Sequence, residues 1–129
     1  MIRRIVLSVL LALTAASVPA LAQRQGSVTR VTARVVPTNW HGACPHPFEF
    51  TATLISRAPG TVYYVWERSD NSSTPRQSTT FGRGGESKVV RTQWSPNHSG
   101  SGTLHGWVRL QVEDGPRSAP APFILQCRQ

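Results

Sequence analysis

The strictest constraint on the fold is a two-residue alternation of apolar and polar side chains. The alternation is longest between residues 104 and 112, where one face carries Leu104, Gly106, Val108, Leu110 and Val112. The opposite face of the same segment carries His105, Trp107, Arg109 and Gln111. Successive side chains of a β-strand point to opposite faces. The segment is therefore predicted to be a strand with one buried and one exposed face.

The same alternation recurs in shorter runs through the rest of the chain. Shared apolar faces are predicted at Val31, Ala33 and Val35, at Phe48, Phe50, Ala52 and Leu54, at Val62, Tyr64 and Trp66, and at Phe123, Leu125 and Cys127. Turn sequences such as Pro59-Gly60 separate the runs. No window beyond the N-terminal leader favours a helix. About seven short strands predict an all-β sandwich, with a small closed barrel as the alternative.

A cleaved leader is predicted at the N-terminus. A short basic start precedes the 14-residue apolar run Ile5–Val18, and Ala20-Leu21-Ala22 places small residues where signal peptidase reads them. The run is shorter than the roughly 20 residues that span a bilayer. Residues 1–22 are therefore predicted to be a signal peptide and residues 23–129 one mature domain. The mature protein is expected to be periplasmic or secreted and not to span the membrane.

The chain is strongly basic, with 14 arginines and lysines, 6 acidic residues and a formal net charge of +8. Loss of Arg3 and Arg4 with the leader lowers the charge to +6. Excess positive charge can steer a protein toward anionic surfaces, so an anionic glycan or an envelope protein is a candidate partner. Nucleic acid is not expected outside the cytoplasm. Because the arginines are scattered rather than clustered in sequence, a role of the charge in solubility alone is the favoured interpretation.

The segment Asn39–Phe50 groups His41, Cys44 and His46 just before a predicted strand. These side chains are possible ligands for copper or zinc. However, Cys44 and Cys127 are the two cysteines of the chain, and an even number in an exported protein favours a disulfide. That bridge would contribute roughly 4 kcal/mol by loop closure and would leave only His41 and His46 as weak metal candidates. The segment is therefore predicted to be a loop fastened beside the last strand, and no cofactor is expected.

The order of short motifs resembles bacterial exported domains with an immunoglobulin-like or fibronectin-like sandwich. The motifs are G-x-C-P, F-x-F-T-A-T, V-x-Y-x-W-x-R-S-D, a later tryptophan, G-W-V-x-L-x-V and F-x-L-x-C, at Gly42–Pro45, Phe48–Thr53, Val62–Asp70, Trp94, Gly106–Val112 and Phe123–Cys127. In such domains Trp66 would be the core tryptophan of the third strand. The antibody-type disulfide joins the second and sixth strands, whereas Cys44 precedes the second strand here. The resemblance implies a module that binds or spaces, without catalytic residues.

The residues themselves carry no catalytic signature that we recognise. The sequence has no G-x-S-x-G nucleophile elbow, phosphate loop or dinucleotide fingerprint, so the protein is not expected to be an enzyme. Trp107, Arg109 and His105 share the polar face of the longest predicted strand, where they would form an aromatic-basic binding surface. The alternative is that a neighbouring strand or loop covers the Trp107 ring.

These features predict a non-catalytic exported binding or adhesion module of the cell envelope or extracellular space. The first alternative is a structural subunit of a surface assembly, in which an edge strand such as Val28–Val36 pairs with a neighbouring copy. Self-association would follow from that arrangement. The weaker alternative is a small metal-binding protein.

Overall fold

The structure is a computed structural model, described here for residues 27–98 and 102–128. The predicted signal peptide, residues 1–22, lies outside the described residues. Eight strands form the described part: β1 (Val28–Val36), β2 (Asn39–Gly42), β3 (Phe48–Ser56), β4 (Gly60–Arg68), β5 (Gln77–Phe81), β6 (Ser87–Trp94), β7 (Gly102–Val112) and β8 (Ala121–Cys127). None of the described residues belongs to a helix long and apolar enough to cross a membrane.

The strands form two sheets that face each other. One sheet has the order β1-β3-β6 and is antiparallel throughout. The other has the order β2-β8-β7-β4-β5, in which β2 runs parallel to β8 and the remaining pairs are antiparallel. Two open sheets are a sandwich rather than a closed barrel. The predicted all-β sandwich is therefore confirmed.

The apolar faces of the alternating strands meet between the two sheets. Trp66 is fully buried, as predicted. Phe123 lies at the centre of an aromatic cluster, with ring centroids 4.4 Å from Phe48, 5.9 Å from Phe50 and 5.7 Å from Trp94. Burial of each large apolar side chain contributes about 1.5–3 kcal/mol. The period-two pattern thus supplies most of the stabilising contacts of the fold.

Strand β1 departs from strict alternation at its first residues. Val28 lies three positions before Val31, so a regular strand would place the two side chains on opposite faces. The pairing of β1 with β3 shifts register between Val28 and Arg30. The irregularity turns Val28 into the core, where it is 5% exposed.

The segment Asn39–Gly42 was predicted to be a loop, and that prediction is wrong. It forms β2, which pairs with the last four residues of β8. The amide of Ile124 donates to the Thr38 carbonyl at 2.9 Å, and the amide of Arg128 donates to the Gly42 carbonyl at 2.8 Å. Because four largely polar residues show no apolar alternation, the partner strand and not the local sequence specifies this strand.

The predicted disulfide is confirmed. Cys44 and Cys127 are bonded, with their Cα atoms 5.5 Å apart and a separation of 83 positions in the sequence. Cys44 lies two residues after the end of β2, and Cys127 is the last residue of β8. The bridge therefore fastens two neighbouring strands of one sheet, unlike an antibody-type disulfide across the core.

Candidate binding surface

Strand β7 brings the three predicted surface residues to one outer face. His105 is exposed, and Trp107 and Arg109 are half-buried. Ser69, directly after β4, is hydrogen-bonded to the middle of β7. Its hydroxyl accepts a hydrogen bond from the Trp107 amide at 3.1 Å, and its own amide donates to the Trp107 carbonyl at 3.0 Å. The indole is thus attached to a well-paired part of the sheet.

Arg109 packs against the Trp107 ring and is not free to bind a partner. Its guanidinium lies 4.7 Å from the centre of the Trp107 ring. The Arg109 Nε also donates to a Glu67 carboxylate oxygen at 3.2 Å, and the same oxygen lies 3.3 Å from the Nε of Arg117. An arginine that is stacked and paired in this way presents little free charge. We therefore assign Arg109 as a positioning residue for Trp107.

A groove of about 840 Å³ opens beside Trp107. Its first wall comes from β7 and β8, which place Trp107 opposite Pro122 and His105 opposite Ile124. Its second wall comes from β1 and the link to β2. We call it the Trp107 groove, and its lining residues are Ala33, Arg34, Val35, Thr38, Asn39, His105, Gly106, Trp107, Pro120, Ala121, Pro122, Phe123 and Ile124.

Prolines shape the edge of β8 that borders this groove. The amide of Ile124 points toward β2, where it donates to Thr38. Alternate residues of a strand direct their main-chain groups to the same side, so the nitrogen of Pro122 faces that side too. Strand β2 pairs only with Ile124–Cys127 and does not reach Pro122. Because proline has no N–H, this stretch offers a poor template for another strand.

Of the two histidines around Cys44, His46 has a packing role and His41 is exposed. His46 stacks on Trp40 with ring centroids 3.6 Å apart and meets the Phe48 ring edge-on at 5.7 Å. The Trp40 indole N–H donates to the Ala43 carbonyl at 3.1 Å. His41 is exposed on β2. Within residues 27–98 and 102–128, no three His, Cys, Asp or Glu side chains come together as a metal site would require.

Sequence reasoning missed the second wall of the groove. The alternation correctly predicts that Arg34 points outward from β1, but it does not show that β1 lies across from Trp107. Pro122 and Ile124 were missed for the same reason, because their positions depend on the register between β7 and β8. The pairing of Glu67 with Arg109 and Arg117 was missed as well. The opposite sign of its charge was the signal that the sequence offered.

No protein-family model matches the chain, and no curated protein is similar to it. Several solved structures are similar in fold, and two of them are described here. One is the Pseudomonas fluorescens alkylpurine DNA glycosylase AlkC, bound to DNA containing an abasic site analogue, with a TM-score of 0.50 and 17% identity over 75% of this chain. This chain spans only 30% of that glycosylase chain.

The other is a CARDB domain from Pyrococcus furiosus, solved in complex with di-metal ions. It has a TM-score of 0.52 and 11% identity, and the match covers 78% of this chain and 94% of that domain. Likenesses at this level of identity concern the fold alone. Together with the order of the strands, they show that the described part of the chain is an immunoglobulin-like β-sandwich, as its sequence predicts.

Proposed function

We propose that the protein is a non-catalytic exported module that binds a glycan chain in the Trp107 groove. The observation that carries the proposal is the placement of a half-exposed indole on the groove wall beside Pro122 and Ile124. Binding sites for small organic groups are mostly apolar and aromatic, with a few polar groups that fix orientation. The C–H face of a sugar ring packs well on such a wall.

Polar groups along the groove suit the hydroxyls and acidic groups of a glycan. His105 is on the Trp107 wall, and Thr38 and Asn39 are on the opposite one. Their side chains both donate and accept hydrogen bonds. Arg34 adds a positive charge to the same wall, and its planar guanidinium matches a carboxylate or sulfate. These groups favour an acidic glycan over a neutral one.

Two features support an exported and non-catalytic role. Disulfides form and persist in oxidising compartments, which fits the Cys44–Cys127 bridge and the predicted signal peptide. Glu67, on the outer face that carries Trp107, is held by two arginines. These ion pairs give the Glu67 carboxylate a structural role in holding Arg109 and Arg117.

Replacement of Trp107 tests the proposal. We expect Trp107→Ala to weaken binding of acidic envelope polysaccharide fragments by about thirtyfold, which corresponds to the ~2 kcal/mol of a central aromatic contact. Isothermal titration calorimetry on the purified exported protein measures the change. Tyr63→Ala is the matched control, because Tyr63 is an exposed aromatic residue of the same sheet with the Arg76 guanidinium 3.7 Å from its ring centre. Equal losses in both variants, or full binding by Trp107→Ala, would contradict the proposal.

The second candidate is assembly through a strand edge. β1 is one of the two edge strands of its sheet, as the sequence predicts. Its exposed side chains include Arg30 and Arg34, which would repel a second copy brought alongside. Sedimentation velocity over a concentration series separates the two candidates. Binding without assembly supports the glycan module, and concentration-dependent polymers favour a structural subunit.

A further inference from the structure

The outer face of the three-stranded sheet carries an ordered array of arginines and threonines. The strand registers place Arg34, Thr51 and Arg91 in one row across β1, β3 and β6. The next rows along the strands are Thr32, Thr53 and Val89, and then Arg30, Ile55 and Ser87. We call Arg30, Arg34 and Arg91 together with Thr32, Thr51 and Thr53 the arginine face.

The three arginines of this face are exposed, and they have no ion pair among the residues that the structure describes. In contrast, Arg76, Arg109 and Arg117 on the other sheet are each paired with a glutamate. One acidic residue, Glu49, belongs to the described strands of the three-stranded sheet. Glu49 is exposed on this same face, in the row next to Arg34, Thr51 and Arg91. The face therefore carries three arginines without a described ion pair and one carboxylate.

We propose that the arginine face binds a polyanionic polysaccharide through its regularly spaced sulfate or carboxylate groups. Arg34 and Arg91 are separated by two strand spacings, roughly 9.6 Å, and Arg30 and Arg34 by four residues along a strand, roughly 13 Å. Guanidinium groups bind sulfate and carboxylate in a two-pronged geometry. The intervening threonine hydroxyls donate to and accept from sugar hydroxyls. A glycan with one acidic group per one or two sugars matches this array.

The chemistry of the face favours a hydrated polymer over a lipid surface. Helices and patches that lie on membranes combine basic residues with bulky apolar groups such as Trp, Phe and Leu. The outward residues of β1, β3 and β6 include no aromatic side chain. Their exposed apolar groups are the short side chains Val36 and Val89. A membrane is therefore the alternative that the experiment must separate.

The inference deepens the proposed function, on which it rests for the class of ligand but not for the site. Only Arg34 belongs both to the arginine face and to the lining of the Trp107 groove. Arg30 and Arg91 belong to the face alone. Substitutions at those two positions therefore test the face without altering the lining of the groove.

The test compares two double variants of the full protein, purified after export, with heparin as the probe. We expect Arg30→Gln/Arg91→Gln to weaken heparin binding about tenfold at low salt and to flatten its dependence on salt concentration. Arg57→Gln/Arg83→Gln is the matched control, because it removes the same charge from exposed turn residues. We expect the control to lose at most about threefold.

Each alternative outcome overturns the inference in a recognisable way. Equal losses in the two double variants would show that net charge alone attracts heparin. Binding to vesicles of anionic phospholipid without binding to heparin would assign the face to a membrane. Heparin binding that depends on Trp107 but not on Arg30 and Arg91 would refute the arginine face and leave the proposed function standing. Unchanged heparin binding by Trp107→Ala, together with a selective loss in Arg30→Gln/Arg91→Gln, is the result that supports the arginine face and rejects heparin binding in the groove.

Discussion

Gly106 lies directly beneath the ring of Phe123 and has no space for a side chain. A Cβ atom at this position would overlap Cζ of Phe123. Because Phe123 packs against Phe48, Phe50 and Trp94, the ring has little freedom to move away. The close approach of β7 to this ring therefore depends on the absence of a Cβ.

We predict that Gly106→Ala lowers the free energy of unfolding by about 1–3 kcal/mol, as overpacking of a filled core does. Urea unfolding followed by tryptophan fluorescence measures the change. Gly82→Ala is the control, because the nearest heavy atom to its added Cβ is a flexible Glu86 oxygen at 3.5 Å. Equal unfolding free energies for Gly106→Ala and the parent protein would contradict this packing.

Glu86 closes the turn between β5 and β6. One carboxylate oxygen lies 3.0 Å from the Lys88 ammonium, and the other accepts hydrogen bonds from the amides of Gly82 at 2.7 Å and Arg83 at 3.2 Å. The hydrogen bond from Lys88 first, and then that from Gly82, lowers the pKa of Glu86 below its ordinary value of 4.5. A lowered pKa in the folded state means that the charged form stabilises the fold.

We predict that Glu86→Gln lowers the urea midpoint at neutral pH and that this difference disappears in acid. The stabilisation by the carboxylate is fully present above the ordinary pKa and is lost as the pH falls through the lowered pKa of the folded state. Urea titrations of both proteins over a pH series measure it. A difference that stays constant to the acid end of the series would mean that the charge of Glu86 does not matter.

At the scale of strands, the disulfide holds the one parallel pair of the described sheets. Strand β2 has only four residues, and the bridge lies immediately beyond its pairing with β8. We predict that Cys44→Ala/Cys127→Ala lowers the free energy of unfolding by about 2–5 kcal/mol, because the unfolded chain regains the freedom of a long loop. Urea unfolding of the double variant against the oxidised parent measures this loss.

Hydrogen exchange shows which part of the fold loses stability when the disulfide is removed. The amides of Ile124 and Arg128, which donate to the β2 side, are expected to exchange faster in the double variant. The amides of β3, paired on both sides within the other sheet, serve as the internal control. Unchanged exchange at Ile124 and Arg128 would mean that β2 holds its place without the bridge.

The strands differ in how much of them the sequence predicts. Strand β7 is predicted with the correct buried and exposed faces, because its own side chains alternate between apolar and polar. Strand β2 is missed, because its pairing partner lies more than 80 residues away. The inward turn of Val28 is missed as well, because a register shift against β3 creates it. Local pattern thus predicts faces, and long-range pairing decides register.

The same distinction applies to the candidate site. The outward position of Trp107 follows from alternation alone. The pairing of Arg109 with Glu67 depends on the alignment of β4 with β7. The groove depends further on where β1 lies relative to β8. Sequence therefore predicts which residues are available at the surface, but not which of them share a site.

At the scale of the whole molecule, the two outer faces of the sandwich differ in charge. On the five-stranded sheet, Arg76, Arg109 and Arg117 are paired with Glu67 or Glu113. On the three-stranded sheet, Arg30, Arg34 and Arg91 are without such partners in the described part of the chain. Arg34 lies where the two surfaces meet, since it also lines the Trp107 groove. The positive charge of the arginine face would therefore also help to attract an acidic glycan to the groove.

The most direct test of glycan binding in the groove is an NMR titration of the isotope-labelled protein with an acidic polysaccharide fragment. We predict that the indole N–H signal of Trp107 and the amide signals of His105 and Ile124 shift as the fragment is added. The indole signal of Trp66, which is fully buried in the core, is expected to stay in place. Shifts confined to residues away from the groove, with the Trp107 signal unchanged, would contradict glycan binding at this site.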